Sequence, residues 1–174
     1  PDSVDVRVQV PDPPTTEFSW GIALGTGSGV SGRISLVKNN ADLTRTPSDW
    51  SVSTFVEEFL ENRAFHGGGQ TVSILLQPGT QRSLFELSIY EPDVFRRHED
   101  PFGLRVLGAR RVDFEETYTT DVLSAELGLV KQLGFQSSAQ LLFRQSTTEI
   151  ENINPAAPGI VFASEGNNNE IREV

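Results

Sequence analysis

Alternation with a period of two runs through most of this chain, and it restricts the fold more than any other feature. Phe18, Trp20, Ile22 and Leu24 alternate with Ser19, Gly21, Ala23 and Gly25. Val30, Gly32, Ile34 and Leu36 then alternate with Ser31, Arg33, Ser35 and Val37. Successive side chains of a strand point to opposite faces, so each run predicts a β-strand with one apolar and one polar face. The same pattern returns in Val72, Ile74 and Leu76, and again in Phe85, Leu87 and Ile89 beyond a Pro78-Gly79 turn. Three further runs occupy residues 102–114, 118–131 and 135–148, the clearest being Leu123, Ala125, Leu127, Leu129 and then Ala139, Leu141, Phe143.

These strands are expected to be about 9 to 14 residues long, against an average of roughly 5 to 6 in soluble sheets. Arg33, Glu86, Arg105, Glu126 and Arg144 fall on their polar face. A lipid-facing band opposite a wet lumen produces that pattern, and so does a soluble sheet with one solvated face; strand length favours the barrel. The expected fold class is therefore all-β, the N-terminal part of an antiparallel up-and-down transmembrane barrel of about seven strands.

Gly27, Gly29 and Gly32 have the G-x-G-x-x-G spacing of a dinucleotide-binding turn. That site needs a helix opening directly after the glycines, because its free N–H groups hold the pyrophosphate. Arg33 to Lys38 continue as a strand instead, so Gly25, Gly27 and Gly29 are assigned to a first hairpin.

One stretch departs from the alternation. Within residues 39–66, Val52, Phe55, Val56, Phe59 and Leu60 recur at helical spacing, with Thr54 and Glu57 as a capping box. A short amphipathic helix is expected, packed on neighbouring protein or lying in a membrane interface. At the N-terminus, Val4, Val6, Val8 and Val10 read as the last strand of a preceding domain, with residues 11–14 as a proline linker and the main domain spanning 15–174. Residues 149–174 read as a long polar loop with a short strand at Ile160-Val161-Phe162 and no closing strand. The chain begins at Pro1 and has no methionine, so it is expected to be a segment of a longer protein.

A net charge of −10 and scattered basic residues argue against nucleic acid. There is no cysteine, and His66 and His98 lack metal-ligand spacing and read as exposed loop residues. No apolar run reaches the roughly 20 residues of a membrane helix, and no stretch is read as a signal peptide. Catalytic groups are not expected. His66-Gly67-Gly68-Gly69 has the form of an esterase oxyanion loop, but no G-x-S-x-G elbow accompanies it. Glu57-Glu58 and Glu115-Glu116 read as solvated surface. No cofactor or metal is implied.

The order of these pieces is similar to a known family. A valine-alternating strand, a linker, "FSWGIALGTGSGVSGRISL" and then "GGGQTVSILLQPGTQRSLFELSIYEPDVF" resemble the passage from the last POTRA (polypeptide-transport-associated) repeat into the barrel of BamA-like outer-membrane protein assembly factors. The correspondence runs through the aromatic first strand at 18–25, the hairpin at 25–31, the G-x-G-Q start at 67–70, and Glu91-Pro92 followed by Phe95. The 39–66 segment is longer than the usual turn, and Asp93-Val94 replaces an aromatic.

The resemblance implies a bacterial outer-membrane protein that inserts other β-barrels. Its partners would be outer-membrane lipid, nascent β-barrel proteins and accessory assembly lipoproteins. Phe18, Ser19, Trp20, Gly21, Ile22, Ala23 and Leu24 would form the gate strand that templates incoming strands. Phe18 and Trp20 suit an aromatic girdle at the periplasmic interface, while Gly21, Ala23 and Gly25 place small groups inward and keep the seam pliable. A secretion pore or channel of related architecture, and more distantly a soluble β-sandwich binding module, are the alternatives.

Overall fold

The alternating segments all become strands of one sheet. The computed structural model describes residues 15–25, 29–97, 99–134, 137–155 and 169–173. Its elements are β1 (Thr16–Gly25), β2 (Gly29–Ala41), α1 (Val52–Leu60), β3 (Gln70–Gln77), β4 (Arg82–Glu91), β5 (Phe102–Phe114), β6 (Thr119–Gly134), β7 (Ser137–Glu151) and β8 (Asn169–Glu173). Every neighbouring pair is antiparallel, and spatial order follows chain order from β1 to β8. The sheet is not closed, as part of a barrel would be, and β1 and β8 are its two edges.

The seven expected strands are present as β1 to β7, and part of the expected polar tail adds a short eighth by pairing with β7 from Thr148↔Asn169 to Arg144↔Glu173. A five-residue strand with one apolar residue carries too little alternation to be read from sequence; the free edge of β7 supplies its hydrogen bonds. The valine strand at 4–10, the linker, Gly27, His98 and Ile160–Phe162 lie outside the described residues.

Cross-strand register places the apolar positions together. Trp20 pairs with Ile34, Ile34 with Leu76, and Leu76 with Phe85. Further along, Ile89 pairs with Val106, Val106 with Leu127, and Leu127 with Phe143. Directly paired residues share a face, so the apolar positions of β1 to β7 gather on one face, interrupted at one end by the Arg110–Asp121 ion pair beside Phe85 and at the other by Lys38. Arg33, Glu86, Arg105, Glu126 and Arg144 all fall on the other face, as the alternation requires. That polar face is knitted by its own contacts. Arg144 donates to Glu126 at 2.7 Å, and the Tyr90 ring covers Gly103, where an added Cβ would lie 3.0 Å from its hydroxyl.

Among the described residues α1 packs on one end of the apolar face, beside Leu36, Val72 and Ile74, and the rest of that face is uncovered. Among the described residues the buried hydrophobic side chains are Ala41 and Ala64, and no large side chain is fully buried. The strands thus form one sheet, with no second sheet packed against it among the described residues. No helix among the described residues is long and apolar enough to cross a membrane.

The connections explain several sequence signals. Gly25 pairs with Gly29, so the glycines close a hairpin and β2 follows at once, leaving no helix N-terminus for a pyrophosphate. Gly29 has φ +68°, and a Cβ there would overlap Thr80 Oγ1 in the β3–β4 turn. Thr80 also accepts from Val30 N at 3.1 Å and donates its own N–H to Val30 O at 2.9 Å. Helix α1 forms where expected, but Ser51 is its N-cap and makes no cap bond to the backbone. Thr54 lies inside the first turn, so the Thr54/Glu57 capping box does not form; Ser51 Oγ donates instead to Thr54 Oγ1.

Candidate functional site

The expected gate residues lie along β1, an edge of the sheet. Phe18 pairs with Leu36, Trp20 with Ile34, Ile22 with Gly32 and Leu24 with Val30. These four side chains are 64–78% exposed. Between them Ser19, Gly21 and Ala23 face the polar side, opposite Ser35, Arg33 and Ser31. A Cβ added at Gly21 would meet nothing within 4 Å. The inner edge of β1 is fully engaged by β2, whereas its outer edge has no strand partner among the described residues. Such an edge is a row of unpaired N–H and C=O groups able to accept another strand.

The root of β1 is held by residues the sequence reading did not single out. Lys38, at the end of β2 and only 3% exposed, donates through Nζ to Asn62 Oδ1 at 2.9 Å and Thr16 Oγ1 at 3.2 Å. It also reaches Phe59 O at 3.4 Å and lies 4.4 Å from the Phe59 ring centroid. Thr15 Oγ1 donates to Asn62 Oδ1 at 2.9 Å, and Asn39 N to Thr15 O at 2.6 Å. Asn62 has φ +58°, a left-handed residue just after the helix. Strand β1 therefore starts from a fixed root, while its outer flank is open.

Two markers quoted for the family resemblance meet in space. Gln70, at the G-x-G-Q start of β3, donates through Nε2 to Glu91 Oε2 at 2.9 Å. Glu91 also accepts from Asp93 N at 3.2 Å, while Gln70 Oε1 accepts from Leu43 N at 3.0 Å. The pair thus fastens the start of β3, the end of β4 and the segment leading to α1.

The remaining candidates are placed differently. In the His66-to-Gly69 stretch, Gly67 N donates to Asn40 O and Gly69 N to Asn40 Oδ1. Two N–H groups that an oxyanion would need are already engaged. His66 is part-buried with a sheltered Nδ1, not exposed, because the chain folds back over the end of β2. Glu57 is solvated and pairs with Arg63 at 2.7 Å. Glu58 is not solvated surface: it turns inward and accepts from Ser48 N at 2.8 Å and Ser48 Oγ at 2.5 Å. Those two donors, helped by Arg63, hold its carboxyl below the ordinary range despite the opposing effect of burial. Glu115 and Glu116 are exposed in the β5–β6 turn. No group of three or more His, Cys, Asp or Glu among the described residues is placed to hold a metal.

No protein-family model, curated protein or solved structure matches the chain. The site is therefore defined by its geometry: an aromatic-rich, unpaired strand edge on a sheet with one apolar face.

Proposed function

We propose that the chain is part of a BamA-like barrel in the bacterial outer membrane, and that β1 is the edge on which incoming strands of other β-barrels are templated. The observation that carries this reading is β1 itself: an open edge strand whose apolar side chains are 64–78% exposed. In hydrocarbon every unpaired backbone group costs several kcal/mol, so an incoming strand gains strongly by pairing there. The exposure of the apolar side chains along β1 and across the sheet supports lipid as that face's surroundings. Strands of 8 to 16 residues from β1 to β7 suit a span that needs about 9–11. Outer-membrane lipid, nascent barrel proteins and accessory assembly lipoproteins are the partners this implies. A charged polar face with Arg33, Arg105 and Glu86 also suits the lumen of a secretion pore or channel, the second reading.

The chain has no cysteine, so single introduced thiols can report strand pairing. Cysteines at Ser19, Gly21 or Ala23 are oxidised, in lipid vesicles, against a barrel closing-strand peptide carrying one cysteine. Cross-strand Cα spacings of about 4.5–5.5 Å fall within disulfide reach, so trapping should follow a register, strong at one position and weak at its neighbours. Equal trapping at Ser88, in the central strand β4, would sink the templating role.

A further inference from the structure

We propose that α1, together with Trp50, is a membrane-interface anchor whose exposed stripe sits among phospholipid headgroups and upper acyl chains. This rests on the membrane-spanning reading of the sheet. The helix lies on the apolar side: Phe55 and Phe59 face Leu36, Val72 and Ile74, which belong to the apolar face. Its position along the strands is a boundary. The apolar rows stop here, Phe18 giving way to Thr16 on β1, Leu36 to Lys38 on β2, Val72 to Gln70 on β3 and Ile89 to Glu91 on β4. The helix therefore covers the level at which a lipid-facing band would pass into headgroups.

Two apolar stripes run along this helix. Phe55 and Phe59 dock on the sheet, while Val52, Val56 and Leu60, each four residues apart, form an adjoining stripe that the protein leaves uncovered. Val52 is 80% and Leu60 66% exposed, and Trp50, stacked on Phe55 at 6.4 Å, is 68% exposed. The docking is not sealed: a cavity of about 180 Å³ with almost wholly apolar walls lies between Phe55, Phe59 and the sheet. Its walls include Leu36, Val72 and Ile74 of the apolar face.

Several charged groups of the segment are paired within the protein. Glu58 is bonded to Ser48, Arg63 to Glu57 and Glu61, and Lys38 to Asn62. Tryptophan, apolar with one N–H donor, is a side chain suited to this depth. Asp49, Glu57 and Glu61 make the surroundings acidic, so anionic headgroups are not the attraction. Anchoring comes from apolar burial, and it should hold on zwitterionic vesicles without weakening in salt.

The chain's two tryptophans allow a direct test. Trp20→Phe leaves Trp50 as the single emitter, and Trp50→Phe leaves Trp20. Both full-length variants are folded into phosphatidylcholine vesicles carrying bromine either near the headgroup end of the chains or near their termini. An interfacial helix is buried about 5–10 Å, so Trp50 should be quenched about two-fold more by shallow than by deep bromine. Quenching of Trp20 with none of Trp50 overturns the anchor and leaves the membrane-spanning sheet standing. Quenching of neither overturns both. A Trp50 untouched by bromine yet shielded from aqueous iodide means that a second copy or another protein covers the stripe, which also overturns the anchor.

Discussion

Leu127 and Leu133 lie on the same strand, are both exposed, and differ in one respect that matters for a membrane sheet. Leu127 is in the middle of the apolar band, flanked across the strands by Val106 and Phe143. Leu133 lies beyond Lys131 near the strand end, six residues on, or about 20 Å at roughly 3.3 Å per residue. Their exposures are 44% and 66%. In lipid, arginine on the outward face costs about 2–4 kcal/mol at the midplane and about 0–1 near the interface. Leu127→Arg should therefore lower the folded-to-unfolded ratio about 30- to 700-fold, and Leu133→Arg by about five-fold or less. In water, substitutions at two exposed leucines stay within about 0.5 kcal/mol of zero. The assay is reversible denaturant unfolding of the chain in phospholipid vesicles, followed by tryptophan emission. Equal costs at the two positions, or a cost below about 0.5 kcal/mol at Leu127, would refute the assignment of this face to lipid.

Three other outcomes follow from the geometry. Gly29→Val combines a φ of +68°, worth about 1–2 kcal/mol for a non-glycine residue, with overlap on Thr80; unfolding midpoints should drop clearly, while Gly21→Val, in open space, should shift them little. Arg144→Ala strips Glu126, which is 9% exposed, of a partner; because Arg144 is half exposed, the usual buried-pair penalty shrinks to about 1–2 kcal/mol, and a double-mutant cycle with Glu126→Gln should recover most of it. Glu58 titrates below its ordinary value of 4.5 in the folded protein, so its contribution is fully present above that value and is lost as pH falls through the folded pKa. Amide protection in α1, relative to the intrinsic exchange rate at each pH, should fall across that acidic window, and the Glu58→Gln variant should show no such step.

The strands were legible because their period is written in large apolar residues that no core absorbs; β5 spans 102–114 as expected. The helix was legible from Val52, Phe55, Val56, Phe59 and Leu60. Its cap was not, because Ser51 and Thr54 offer the same hydroxyl and only the backbone decides between them. Contacts that hold the site stayed hidden for a different reason. Lys38 and Asn62 meet only once α1 has folded back over the end of β2, and Gln70 meets Glu91 only in the β3–β4 register. Neither pairing leaves a local pattern. The expected gate could be named residue by residue, but its being an edge is a property of sheet order.

The period also identifies which face is apolar without saying what touches it, and burial supplies what the period omits. In a water-soluble sheet the leucines would be sheltered and the charges solvated. Here Leu24 is 78% exposed, while Glu126 on the opposite face is 9% exposed. Backbone pairing alone does not pay the entropy of ordering so many residues, and the described structure buries almost no large apolar side chain. An apolar partner against the exposed face would add stabilisation that the described residues do not supply among themselves. In the proposed membrane setting, bilayer lipid would supply that contact along the whole band at once, from Phe18 on β1 to Phe143 on β7, which a single protein partner docked on one patch would not.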